Sequence, residues 1–215
     1  MTATFASDGG GVLPIGVDAL DRQLQGGLPA GCIVAYCAPP ASQSELLLYQ
    51  LTATRPTLYL TTDRTEDAVA DSFARATCPT GEPDIRYVSN ETPLETAWKL
   101  FRDLGGGQNL IIDPCDTLER SDRARFQNFM NELYNHVHNT GSLALLHCMR
   151  GNEPELRTVT QHMSDVVFDL TQSVDGTEVD TRLAVPKFRG GNALSDTIKL
   201  ELSDRVRVDT SRDIA

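Results

Sequence analysis

Strand-like apolar runs alternate with helix-like periodic stretches through the first three quarters of the chain, and back-to-back β runs follow. Together these predict an α/β fold, a mostly parallel sheet flanked by helices with antiparallel strands at its C-terminal end. The candidate parallel strands are Cys32–Cys37, Thr57–Thr62, Ile85–Val88, Asn109–Asp113 and Ser142–His147. Each is short, apolar and closed by a polar or Pro-bearing turn, the pattern of strands covered on both faces.

Helices are expected between them, near Ser44–Thr54, Thr65–Ala76, Pro93–Leu104 and Ser121–Asn139. In the last, Phe126, Phe129, Met130, Leu133 and Val137 recur at intervals of three and four, so one face should pack on the sheet. A short helix at Glu155–Met163 precedes the β-rich tail of Asp165–Leu170, Glu178–Val185, Thr197–Leu202 and Arg205–Val208. Turn signals at Asp175-Gly176 and Gly190-Gly191 separate three of these runs, and the tail reads as antiparallel strands that extend the sheet. With 215 residues and 40% hydrophobic content, the chain supports one core. The expected organisation is a single domain over residues 12–209, with residues 1–11 and 210–215 frayed.

Composition narrows the function classes. The chain has no run of eighteen apolar residues, and Met1–Gly11 carries neither a basic n-region nor an apolar h-region. A cytoplasmic protein without membrane contact is expected. Five scattered cysteines (Cys32, Cys37, Cys78, Cys115, Cys148) without CxxC spacing argue against a disulfide framework or a zinc site. His136 and His138, two apart on a helix, point away from each other, so no metal centre is expected there.

Formal net charge is −11, and Lys99, Lys187 and Lys199 are the only lysines among 19 basic residues. At molar salt, where the Debye length is about 3 Å, such acidity is screened while the surface stays solvated. The profile resembles proteins of halophilic archaea. Nucleic acid is not an expected partner, because phosphate binding needs a basic stripe. Arg120, Arg123 and Arg125 cluster near a helix start, but with Ser121 and Asp122 between them they read as a solvated face.

Several local phrases carry a family resemblance. Ile15-Gly16-Val17-Asp18-Ala19-Leu20-Asp21 followed by Gly26-Gly27-Leu28-Pro29-Ala30-Gly31 is similar to a "TGIPGLDELLGGGLPxG" lead-in. Val185-Pro186-Lys187-Phe188-Arg189-Gly190 is similar to a "K-x-R-G" strand end, and Asn109-Leu110-Ile111-Ile112-Asp113 has the form of a Walker B strand. From Pro14 to Val208 the chain resembles the RecA superfamily and, within it, KaiC-like and RadA-like ATPases. The resemblance implies a RecA-like core, a phosphate loop between the first strand and its helix, Asp113 near Mg²⁺, and Lys187 and Arg189 reaching a neighbouring subunit's nucleotide.

The loop itself departs from the family pattern. A working G-x-x-x-x-G-K-[ST] wraps phosphates with backbone N–H groups, contacts them with Lys and ligates Mg²⁺ with a hydroxyl. Here the stretch is Ala38-Pro39-Pro40-Ala41-Ser42-Gln43-Ser44-Glu45, so Ala38 and Gln43 replace glycines, Ser44 replaces Lys and Glu45 replaces the hydroxyl. Loss of the Lys removes charge-assisted bonds worth about 1.5–3 kcal/mol each. Glu45 adds a repulsion on the order of 4 kcal/mol at 4 Å and an effective dielectric of 20. The paired carboxylates of the second strand are also incomplete, Thr61-Thr62-Asp63-Arg64 retaining one acid, Asp63.

The expectation is therefore a catalytically degenerate domain with no cofactor and no metal, serving as a regulatory or interaction module for a protein partner, an active paralogue or itself. One alternative is an atypical nucleotide binder or weak ATPase that uses loop amides and Lys187 or Arg189 from an adjacent subunit, with ATP and Mg²⁺ only in that case. Another is a DNA-associated recombination accessory. Cys37 and His147-Cys148, at strand ends on the carboxyl edge, permit a thiol site, although no nucleophile elbow surrounds them and packing is the expected role.

Overall fold

In a computed structural model of the chain, residues 11–191 and 193–209 are described; of the frayed ends expected at 1–11 and 210–215, all but Gly11 lie outside them, and Gly11 O accepts from Ala30 N at 2.8 Å. The elements begin with β1 (Val12–Leu13), α1 (Asp18–Gln23), β2 (Leu28–Pro29), β3 (Ile33–Ala38), α2 (Glu45–Thr52) and β4 (Thr57–Thr61). There follow α3 (Glu66–Ala74), β5 (Asp84–Tyr87), α4 (Pro93–Phe101), β6 (Asn109–Asp113), α5 (Asp116–Glu119) and α6 (Arg123–Thr140). The chain continues through β7 (Leu143–Met149), α7 (Arg157–Met163), β8 (Val166–Asp175), β9 (Glu178–Phe188), β10 (Ile198–Leu202) and β11 (Val206–Val208).

Nine strands form one sheet in the order β11-β10-β9-β8-β3-β7-β6-β4-β5. Strands β3 to β8 run parallel, and β9, β10 and β11 add antiparallel pairs at one edge. The antiparallel part thus begins one strand later than the tail's back-to-back runs suggested. β8 is parallel to β3 because α7 supplies the crossover that a parallel connection needs. The β8–β9 hairpin outgrows its expected length, and its register shifts between Val167 and Asp169, opposite Pro186. A bulge tolerates the missing N–H of a proline.

Two apolar layers enclose the sheet. Leu20 of α1, Leu47 and Leu48 of α2 and Val69 of α3 pack on one face. Leu94 of α4, Leu118 of α5, Phe126 and Leu133 of α6 and Val159 of α7 cover the other. α6 begins at Asp122, whose carboxylate accepts from Ala124 N and Arg125 N at 3.0 and 3.1 Å, and it ends at Gly141 in the left-handed region, φ 62°.

The β1–β2 hairpin, α1 and α5 were not foreseen from periodicity. Their elements are two to six residues long, too short for a pattern to repeat. The lead-in phrase nevertheless has a physical job here. Asp21 accepts from Ile15 N at 2.8 Å and Gly16 N at 3.1 Å, tying the entry segment to α1. Gly27 sits at φ 131°, where a Cβ would lie 2.2 Å from Leu13 O, so only glycine fits there.

Candidate functional site at the carboxyl edge

Open parallel sheets build their sites beyond the carboxyl ends of the strands. At that edge β3 ends at Ala38, and the connection to α2, residues 39–44, holds the middle of the expected phosphate loop, with Ala38 in β3 and Glu45 in α2 at its ends. Pro40, Ala41 and Gln43 are exposed. Ser42 folds back on Pro39 O through both its Oγ, at 2.6 Å, and its N–H, at 3.1 Å, closing a tight local turn. Glu45 opens α2, a position where an acidic side chain complements the helix dipole.

Ser44, where the family resemblance implies a Lys, is turned inward and is 1% exposed. Its Oγ lies 3.1 Å from His147 Nε2, and His147 Nδ1 lies 2.6 Å from Asp113 Oδ1. A carboxylate can only accept, so Nδ1 carries a proton; in the neutral ring Nε2 then accepts from the Ser44 hydroxyl. Tyr36 stacks on His147 with ring centroids 5.3 Å apart, fixing the imidazole plane.

The other oxygen of Asp113 is taken as well. Oδ2 accepts a short hydrogen bond from Tyr59 OH and pairs with Arg64 at 3.0 Å. Burial alone would raise the Asp113 carboxyl, but the hydrogen bonds from His147 and Tyr59 and the charge of Arg64 outweigh it, holding the group at about 2. Tyr59, buried beside this carboxylate, is pushed well above the ordinary phenol range.

Asp63 does not join Asp113. It is exposed, and it accepts from Thr62 Oγ1 and Thr117 Oγ1, each at 3.3 Å. Its neighbour Arg64 turns in instead, replacing an acid by a cation at the position where the family resemblance implies a second carboxylate.

Lys187 and Arg189 also point home. Lys187 Nζ donates to Gln161 O at 2.9 Å and His162 O at 2.7 Å, capping the last carbonyls of α7. Arg189 pairs with Asp165 at 3.1 Å and reaches His162 O at 3.3 Å. Asp165 in turn accepts from Ile33 N at 3.0 Å, which ties the late strand to the start of β3. Burial, and then the charge of Arg189, lower the Lys187 ammonium.

Sequence reading missed His147, Tyr59 and Arg64 as partners of Asp113. A usable signal existed for His147, a polar residue in an otherwise apolar run ending beside the loop strand. Tyr59 carried none, because an aromatic residue in a strand reads first as core.

Ser44, His147 and Asp113 share the connectivity of a hydrolytic triad. The Ser44 hydroxyl is sealed from solvent, however, and an acyl acceptor must meet its substrate. His136 is bonded to Leu104 O at 3.2 Å and His138 stacks on Tyr134, so both have packing roles. Among the described residues, no group of three or more His, Cys, Asp or Glu side chains is placed to hold a metal ion, and no helix is long and apolar enough to cross a membrane.

The comparisons with known proteins agree with this frame. The KaiC-like protein PH0186 from the hyperthermophilic archaeon Pyrococcus horikoshii OT3 superposes with a TM-score of 0.75 at 12% identity, covering 94% of this chain and 100% of that one. At that identity the likeness establishes the fold, a KaiC-like RecA core. No curated protein matches the sequence. A family model described as "Family of unknown function (DUF7125)" matches residues 12–215, and the chain belongs to that family.

Proposed function

We propose that the chain is a degenerate RecA-like domain that does not take Mg·ATP and serves as a regulatory or interaction module for a protein partner, either an active paralogue or a second copy of itself. The observation that carries this reading is the internal use of the charged and polar side chains at Asp113, Ser44, Lys187 and Arg189, the positions where the family resemblance implies nucleotide or Mg²⁺ contacts. Both Asp113 oxygens are engaged by His147, Tyr59 and Arg64. Ser44 is buried against His147, and Lys187 and Arg189 are spent on α7 and Asp165. A magnesium ion would have to displace the Arg64 contact from Asp113, and the phosphates that accompany it would meet the like charge of Glu45.

The acidic, lysine-poor composition supports a salt-rich, haloarchaeal cytoplasm as the working environment. Of the arginines that an accessory role on DNA would use, Arg120, Arg123 and Arg125, all are exposed and Arg125 is paired with Glu95.

The test is calorimetric titration of the purified protein with Mg·ATP in molar KCl, followed by light scattering with and without the candidate partner. No heat, together with a specific complex or self-association, supports the proposal. Micromolar binding, or a monomer that captures nothing, overturns the corresponding half. The double variant Ser44→Lys with Glu45→Thr sharpens it. Because Asp113 stays occupied from its own fold, restoring two loop residues is expected not to restore ATP affinity.

A further inference from the structure

The carboxyl edge holds a second cluster that the nucleotide-site residues do not use. Cys37 and Cys148 are register partners on the adjacent parallel strands β3 and β7. As register partners on parallel strands their side chains leave the same face of the sheet, and Cys115, just beyond β6, belongs to the same apolar layer. All three are at most 1% exposed and lie in the apolar layer under α4 to α7, whereas Cys32 and Cys78 belong to the opposite layer.

Adjacent strands lie about 4.7–4.9 Å apart, and disulfides span Cα separations of about 4.4–6.8 Å. Register partners on one face therefore need little backbone movement to be joined. Cys37 also has a neighbour that leads outward. Gln161 Nε2 donates to Cys37 Sγ at 3.4 Å, and the same Gln161 lines an open cavity of about 470 Å³ together with His162, Val167, Asp169, Pro186 and Lys187.

We propose that Cys37 and Cys148 form a dithiol modification site that closes to a disulfide when hydrogen peroxide enters past Gln161. In the first step the Cys37 sulfur attacks the peroxide, the O–O bond breaks, and Cys37 becomes a sulfenic acid as water leaves. In the second, the Cys148 sulfur attacks the Cys37 sulfur and a second water departs. Two thiols are oxidised and one hydrogen peroxide is reduced to two waters. Contact with Cys148, and then burial, hold the Cys37 thiol above its ordinary range, with Gln161 and Arg157 opposing, so a slow reaction is expected. The bond would clamp the two strands one residue from Ala38, at the root of the loop, and one residue from His147. This inference does not depend on the proposed function, since a nucleotide-binding protein could carry the same thiol pair.

The experiment is a hydrogen peroxide titration of the full folded chain, followed by thiol blocking and tryptic digestion without reductant. Arg55 precedes Pro56, so trypsin leaves Cys37 in Gln23–Arg64, Cys115 in Asp103–Arg120 and Cys148 in Phe126–Arg150. The expected result is a loss of two hydrogens and a cross-link between Gln23–Arg64 and Phe126–Arg150. The cross-link should vanish in Cys37→Ser and Cys148→Ser and persist in Cys32→Ser and Cys78→Ser. Amide exchange in residues 38–44 should slow in the oxidised protein. The wild-type cross-link needs no variant, so a variant that fails to fold leaves the test intact. No cross-link in the folded protein, one that persists without Cys37, or one through Cys115 overturns the proposal.

Discussion

Two charge networks hang from the end of β6 and the short helix after it, and they are built on opposite principles. At Asp113 one carboxylate is shared by donors from three places, His147 of β7, Tyr59 of β4 and Arg64 just beyond β4. At Glu119, only six residues further on, one guanidinium does most of the work. Arg157, 1% exposed, contacts both Glu119 oxygens at 2.9 Å through Nε, pairs with Asp116 at 2.9 Å and donates to Met149 O at 2.7 Å. The Glu119 network is a conventional buried ion pair that staples α5 to α7. The Asp113 network stands where the family resemblance implies ligand contacts, and the protein's own side chains have filled it. The difference teaches that, on the proposed reading, a lost ligand site need not become an empty one, because unpartnered buried polar groups are too costly to leave.

Breaking the pair at Glu119 should cost the most. Arg157→Ala strands a buried carboxylate, and a loss of roughly 3–5 kcal/mol in unfolding free energy is expected, read by urea denaturation. The double variant Arg157→Met with Glu119→Leu should recover most of it, since no charge is then left buried. A single-variant loss below about 1 kcal/mol would show that the pair behaves as a surface bridge. Asp113→Ala comes next. It leaves Tyr59, His147 and Arg64 without their acceptor, but Arg64 is half-exposed and can turn to water, so about 2–3 kcal/mol is expected.

The two networks also differ in how far they could be read in advance. The parallel sheet, its flanking helices and the position of the loop were legible because apolar runs and periodic helices are local signals. Asp113 was legible as a strand-ending acid, and residues 38–45 as the stretch that joins β3 to α2. Asp63 and Arg64 are adjacent, yet which one faces Asp113 depends on how the turn after β4 is wound, which residue types do not specify. Lys187 and Arg189 posed a similar problem. Whether a basic pair reaches a neighbour or its own helix depends on where α7 ends, and Gln161 and His162 offer their carbonyls only once α7 has docked. Arg157 and Glu119 gave no motif at all, being far apart in sequence and joined only by packing.

Acid separates the networks by a further measurement. The folded Asp113 carboxyl is depressed from 3.8 to about 2. A depressed carboxyl contributes stability that is fully present above its unfolded value and is lost as pH falls through the folded one. On the order of 2 kcal/mol should therefore disappear between about pH 4 and pH 2. The stability gap between wild type and Asp113→Asn should narrow over that window in parallel urea titrations. A gap that stays constant down to pH 2 would mean that the hydrogen bonds to Asp113 do not depend on its charge.

The smallest effect belongs to Ser44, and it decides how the Asp113 network is to be understood. Ser44→Ala deletes one hydrogen bond to His147, so a loss of about 1 kcal/mol is expected. If the Ser44–His147–Asp113 chain is only internal filling, the wild-type hydroxyl should resist a fluorophosphonate reagent, since it is 1% exposed and no substrate carbonyl can approach it. Intact mass after incubation reads this directly. Stoichiometric labelling at Ser44, abolished by Ser44→Ala and by His147→Gln, would show instead that the loop opens over a competent nucleophile. A structural relay and a catalytic one share the same distances, and access to Oγ is the variable that differs.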